Sequence, residues 1–260
     1  MALKTRHAHF SEIASKYRNL RSTDIEPIEY ICSKLDSLPK IHAVDVGCGA
    51  GRYDYLLFKG LGEDLRLTCV DENKAMLAEL SNYLTRHRIE RFRAVAAPAD
   101  KIPAATESLD CVLTFNAVHH FPIDRFLNES RRVLKPGGLM FIYTRTRSQN
   151  SRSVWGAHFP DFATKEHRLC EVDEMAAAVQ SVDGLLMEEA RAFVFQRSSN
   201  LERLLEQAEN HHYSTLALYE APEFDDALLG FHRGLNRIQE SSGVVSWNDE
   251  NTLFVIRNVA

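Results

Sequence analysis

No apolar run in these 260 residues approaches the length of a membrane span. The charged start Met1-Ala2-Leu3-Lys4-Thr5-Arg6-His7 lacks the apolar segment of a secretory signal. Concentrated basic charge is missing too: 31 Lys and Arg against 36 Asp and Glu leave a net charge of −5. A broad nucleic-acid footprint needs clustered Lys and Arg to neutralise phosphates, so nucleic acid is not the expected partner. Cysteine is scarce, with five residues at positions 32, 48, 69, 111 and 170. Their wide spacing and odd number speak against a disulfide framework and for a reducing, cytoplasmic setting. There is no internal repeat and no low-complexity tract. His211 and His212 lack acids or cysteines at ligand spacing, so no metal site is expected. What remains is an ordinary soluble composition, 45% hydrophobic and 26% charged, enough to build one large α/β domain or a domain with an inserted cap. The oligomeric state is not legible.

The periodicity alternates. Phe10, Ile13, Ala14, Tyr17 and Leu20 predict an amphipathic helix over 9–21, and Thr23-Asp24 can cap a second through Ile25–Leu35. Strand 41–46, helix 52–60, strand 65–70, helix 73–86, strands 92–96 and 109–115, helix 123–134 and strand 139–144 follow. That alternation implies right-handed crossovers and a parallel, doubly wound α/β sheet. Beyond it, Arg145 to His167 reads as a polar loop or short helices. A helix at 171–182, a strand at 186–196, helices near 200–219 and 223–239 and a strand at 252–258 complete the chain. The two late strands would form the antiparallel edge of a seven-stranded sheet. Residues 1–145 would hold N-terminal helices and a ligand-binding core, and 146–260 the rest of the same domain, with a helical lid at about 200–240.

Ala43-Val44-Asp45-Val46-Gly47-Cys48-Gly49-Ala50-Gly51 is the most informative stretch. A buried strand runs into a turn with glycine at alternate positions, which lets the backbone come within contact distance of a nucleoside. The dinucleotide fingerprint G-x-G-x-x-G is not met, because the third glycine comes one position early and Arg52 takes its slot. Asp45, two residues before the first glycine, would repel a diphosphate but can orient an ammonium group. Both features argue against NAD.

Residues 43–51 resemble motif I of the class I S-adenosylmethionine-dependent methyltransferases, in the manner of the small-molecule, type 11-like members. The resemblance runs in order through roughly residues 40–145. It takes in Leu65–Asp71, Ala97-Pro98-Ala99-Asp100, Leu109–Asn116, and Arg131-Arg132-Val133-Leu134-Lys135-Pro136-Gly137-Gly138 before Leu139–Tyr143. It implies a Rossmann-like methyltransferase fold with S-adenosylmethionine as cofactor and S-adenosylhomocysteine as product. It also implies that Gly47, Gly49 and Gly51 form the floor, Asp71 with Glu72 holds the ribose, Ala99 and Asp100 meet the adenine, and Asp45 orients the methionine end. Asn116, Tyr17 and Arg21 are further candidates for cofactor contact.

Methyl transfer from a sulfonium asks the protein mainly for approach geometry and exclusion of water. A base is needed only where the acceptor must lose a proton. Ala117 and Val118 stand where amino-group methylases of this family carry two prolines, and Cys111 lies inside its strand, away from any C5 nucleophile position. The segment Asn116-Ala117-Val118-His119-His120-Phe121 instead resembles the form found in small-molecule methyltransferases, with oxygen or carbon favoured over nitrogen. His119 and His120 are candidate general bases; the alternative is that they pack under the cofactor. Arg145, Arg147 and Arg152, with Trp155 and His158, are candidates for gripping an anionic acceptor, against the alternative of a solvated polar loop. An RNA or protein acceptor, or a non-catalytic cofactor-binding module, remain as other classes.

Overall fold

The computed structural model describes residues 22–260. The helix predicted over 9–21, with Tyr17 and Arg21, lies outside them. Seven strands form one sheet: β1 (Ile41–Val46), β2 (Leu65–Asp71), β3 (Phe92–Ala96), β4 (Leu109–Phe115), β5 (Leu134–Thr144), β6 (Leu185–Asn200) and β7 (Val244–Asn258). Their order is β3-β2-β1-β4-β5-β7-β6. β1 to β5 pair in parallel, and β7 runs antiparallel to β5 from Leu139↔Arg257 to Thr144↔Thr252. β1 and β4 are almost wholly buried, which is why each reads as a continuous apolar run rather than an alternation. The strand order reverses direction between β1 and β4, so their carboxyl ends open into a crevice.

Helices α1 (Glu26–Leu35), α2 (Arg52–Leu61), α3 (Lys74–Arg86) and α4 (Ile123–Val133) flank this part of the sheet. α3 buries Met76, Leu77, Leu80 and Leu84, one stripe at helical spacing, and starts on Asn73, whose side chain accepts from the amides of residues 75 and 76. The predicted cap of α1 is corrected. Its N-cap is Ile25, without a side-chain bond, and Pro27 in the first turn fixes the backbone instead. Asp24 is drawn away to the Tyr143 hydroxyl at 2.6 Å, and Thr23 accepts from Arg52 at 3.2 Å.

β5 begins at Leu134 rather than 139, with a register shift opposite Leu109–Cys111 that absorbs Lys135-Pro136-Gly137-Gly138. The shift keeps these turn residues on the ladder, which local propensity cannot anticipate. β6 and β7 also extend well beyond their predicted ends.

The described chain forms two compact units. One comprises residues 22–144, 172–191 and 252–260, including α8 (Val172–Gln180). The other comprises 145–171 and 192–251. It holds α5 (Arg147–Arg152), α6 (Val154–His158), α7 (Phe162–Lys165), α9 (Leu201–Glu209) and α10 (Ala221–Ile238). α5 opens on a capping box, Thr146 with Gln149, and Ser153 caps α6. Trp155, Phe159, Phe162 and Phe231 form the centre of this unit, with Trp155 stacked on Phe231 at 4.8 Å between ring centroids. Among the described residues, no helix is long and apolar enough to cross a membrane.

Candidate active site

The glycine turn leaves β1 and folds back on β2. The amides of Gly47 and Cys48 both donate to the Val70 carbonyl, at 2.8 and 3.1 Å. Gly47, Gly49 and Gly51 all have positive φ, at 74°, 53° and 82°. Two of them also make room for the protein itself. A Cβ on Gly47 would stand 2.5 Å from the Ala117 methyl, and one on Gly51 would meet Leu80 at 3.0 Å. Glycine at 47 is therefore as much a packing demand from the loop after β4 as a demand for backbone approach.

Asp71 ends β2 and is aimed by two backbone donors: Oδ2 accepts from Gly49 at 3.0 Å and Oδ1 from Asn73 at 2.8 Å. Bonds to both oxygens fix the direction in which the carboxylate points. The carboxylate at the tip of the second strand is thus fastened directly to the glycine turn. Glu72 beside it is exposed. After β3, Ala99 is buried, and Asp100 stands 3.6 Å from Arg125 of α4. After β4, Asn116 adopts φ 53°, a left-handed conformation rarely tolerated by residues other than glycine, while its amide donates to Tyr143 at 2.7 Å. His119 and His120 follow on a short 3-10 turn, half-buried, with ring centroids 4.0 Å apart. Behind them Tyr53 of α2 stacks on Phe115 at 4.4 Å.

Asp45 is only 1% exposed. Burial, with Asp54 and then Asp71 adding repulsion, pushes its carboxyl well above the usual range. Asp54, on the first turn of α2, is fully buried beside it and accepts from the Cys69 thiol at 3.2 Å. The sequence reading missed this second acid, although a charge at the i+3 position from Gly51, amid the buried Tyr53, Leu57 and Phe58, was the available signal. It missed Arg125 as well, which carries no local signature.

The remaining candidates lie in the other unit, each with an internal partner. Arg145 is buried and pairs with Asp249 at 2.7 Å. Arg147 donates to the Leu169 carbonyl at 2.7 Å, and Arg152 forms a two-bond pair with Glu250 at 2.8 and 2.7 Å. Trp155 is 3% exposed, inside the aromatic cluster, and burial lowers the His158 imidazole from its ordinary value. His212 packs its ring on Trp155 at 4.4 Å. Among the described residues, no group of His, Cys, Asp or Glu is arranged to hold a metal ion.

Residues 44–142 match the family described as a methyltransferase domain. A ubiquinone biosynthesis O-methyltransferase from Brucella ovis is 27% identical over 205 residues, 67% of this chain and 79% of that protein. A sterol 4-C-methyltransferase from Caenorhabditis elegans is 28% identical over 115 residues, 44% of this chain, and the match spans only 34% of that longer protein. Among solved structures, the geranyl diphosphate C-methyltransferase of Streptomyces coelicolor A3(2), crystallised with S-adenosylhomocysteine, superposes with a TM-score of 0.54 at 16% identity, covering 88% of this chain and 76% of the other. SpnF, a cyclase, does so with 0.56 at 14% identity, covering 88% and 80%. At those identities the likeness is one of fold alone. The sequence match falls on the same strands whose tips carry the pinned glycine turn, so residues 44–142 carry a methyltransferase domain.

Proposed function

We propose that the protein transfers the methyl group of S-adenosylmethionine to oxygen or carbon of a small organic acceptor. One observation carries this reading: the Asp71 carboxylate and the Gly49 amide are bonded to each other at the open end of β1 and β2, so an acidic acceptor and a close-approach backbone form one rigid element. A nucleoside with two ribose hydroxyls matches that element, because a carboxylate takes both protons. In this reading Gly47, Gly49 and Gly51 form the floor, and Asp71, with Glu72, receives the ribose. Asp100, beside the backbone of Ala99, receives the adenine amino group, while Asn116 and Asp45 face the methionine end.

The cofactor supplies an already activated methyl group. The chain supplies a fixed approach and a dry floor: Phe115, Ala117 and Val118 are buried beneath the turn, and Tyr53 backs Phe115. For an oxygen acceptor His119 or His120 removes the proton, a task suited to imidazole near neutrality. The loss of the proline pair at residues 117 and 118 supports oxygen or carbon over nitrogen. So do the names of the relatives, one an O-methyltransferase and one a C-methyltransferase. The odd number and wide spacing of the five cysteines favour a reducing, cytoplasmic setting.

Incubating the protein with metabolite extracts and methyl-labelled S-adenosylmethionine tests the reading. Label should pass to a small molecule with release of S-adenosylhomocysteine. Label in RNA or protein would sink the small-molecule assignment, and tight cofactor binding with no turnover on any acceptor would sink the enzymatic one.

A further inference from the structure

Asp100, the acid set against the adenine in our reading, stands on a segment with little regular structure of its own. Residues 97–108 run from β3 to β4 as turns and irregular chain, so their backbone polar groups need partners from elsewhere. Backbone pins the two ends. The Ala97 amide donates to the Asp71 carbonyl at 3.3 Å, and the amides of Glu107 and Ser108 donate to the carbonyls of Arg132 and Val133, at 2.9 Å each. Side chains of α4 hold the middle. Glu129 Oε1 accepts from the Ile102 amide at 2.8 Å, and Arg132 Nη2 donates to the carbonyls of Ile102 and Ala104 at 3.3 and 3.1 Å. Glu129 and Arg132 are joined in turn by two bonds of 2.8 Å, Nε to Oε2 and Nη2 to Oε1. The bond from Arg132 holds the Glu129 carboxyl below the usual range. One charged pair thus grips Ile102 at both its N–H and its C=O, two residues after Asp100, and the Ile102 side chain is buried. Asp100 itself lies in a turn closed by the Lys101 amide on the Pro98 carbonyl at 3.0 Å, between the pins at 97 and 102. Arg125, one turn earlier on α4, stands 3.6 Å from Asp100 but is 77% exposed, so that pair is screened and does little to place the acid.

We propose that the Glu129–Arg132 pair positions the adenine subsite, fixing Asp100 where it selects a 6-aminopurine over a 6-oxopurine. This deepens the cofactor reading above and rests on it. An ionised carboxylate only accepts, so an exocyclic amino group matches it and a carbonyl at the same ring position opposes it. The discrimination depends on the acid standing in place before the ligand arrives. An irregular segment free to shift would let Asp100 swing away from a carbonyl, and the penalty for the wrong base would vanish. Withdrawing Asp100 here means breaking charge-assisted bonds at Ile102. Glu129 and Arg132 are therefore positioning residues, acting on the base through Asp100.

Calorimetric titration with S-adenosylhomocysteine and with S-inosylhomocysteine, which carries a carbonyl in place of the adenine amino group, tests this. The ratio of the inosyl Kd to the adenosyl Kd should be about tenfold or more in the native protein. It should fall by about threefold or more in Glu129→Ala and in Arg132→Met. Glu129→Gln keeps an oxygen for the Ile102 amide and should retain more of the ratio than Glu129→Ala. A purely structural role would weaken both ligands alike, so a ratio that survives the substitutions would overturn the proposal. Equal loss in the Gln and Ala variants would refute the bond to Ile102 as its cause. Should the variants fail to fold, hydrogen exchange of the native protein decides. The Ile102 amide should be protected before any ligand is added; exchange at the rate of an open chain until ligand binds would refute the pre-set grip. A native ratio near one would remove Asp100 from the adenine, and the proposal with it. Binding of neither nucleoside would remove the cofactor reading, an outcome distinct from a native ratio that outlasts substitution.

Discussion

Replacing Asp71 with alanine tests the geometry on which the cofactor assignment stands. The side chain accepts from the amides of Gly49 and Asn73 at 3.0 and 2.8 Å, and in our reading from two ribose hydroxyls as well. Hydrogen bonds to a charged group contribute about 1.5–3 kcal/mol each, so the two ribose bonds alone contribute about 3–6 kcal/mol. Even the lower bound corresponds to roughly a hundredfold in Kd. Loss of the bond to Gly49 adds to this, since the turn that must approach the ligand is no longer held. Calorimetry with S-adenosylhomocysteine on the folded variant should therefore show binding weakened about a hundredfold, with urea unfolding used to record the cost to the free protein. Asp71→Asn keeps the shape but removes the charge and turns an amino group toward one of the backbone donors, so it should lie between the two. Affinity of Asp71→Ala within threefold of the native protein would refute the ribose anchor, whatever happened to stability.

Three further outcomes follow from the same structure. Gly47→Ala places a methyl 2.5 Å from Ala117 at a φ of 74°, so it should destabilise by more than about 1 kcal/mol and weaken cofactor binding together, as read by urea unfolding and calorimetry. Phe231→Ala removes a fully buried ring stacked on Trp155; a loss of about 3–5 kcal/mol, seen as a lowered urea midpoint, is expected. For Asp54 the sign of the pH dependence is fixed by a folded value raised to about 7 from 3.8. Below pH 4 both folded and unfolded forms are protonated and there is no cost. As pH rises toward 7 the unfolded chain ionises first and the folded state loses stability, at about 1.4 kcal/mol per pH unit for one group. Asp54→Asn should therefore gain stability relative to the native protein between pH 5 and pH 8. A constant difference between the two unfolding curves across that range would contradict the buried ionisable state.

The central strands were legible because burial on both faces leaves an unmistakable trace. Val44, Val112 and Met140 sit in apolar runs bounded by turns, and β1 and β4 keep their predicted bounds. Those parts of the chain where long-range partners decide were less so. The start of β5 depends on pairing across a register shift with β4, and the start of α1 depends on Asp24 finding Tyr143, 119 residues away. The same division runs through the site. Glycines at alternate positions and an acid closing the second strand are local patterns, and the structure brings Gly49 and Asp71 into direct contact.

The arginines after β5 show the limit from the other side. As a sequence they suggest a charged mouth open to an anion, yet each meets an acid or a carbonyl tens of residues away, at Asp249, Leu169 and Glu250. Charge alone does not distinguish a side chain that waits for a ligand from one that fastens its own fold; only the partner does. Asp54 teaches the converse. An acid within an apolar helical stripe has no surface to go to, so its neighbours must answer for it, and here the Cys69 thiol does so at 3.2 Å. Such a position is readable as an anomaly from periodicity alone, because burying an acid is costly unless a partner meets it.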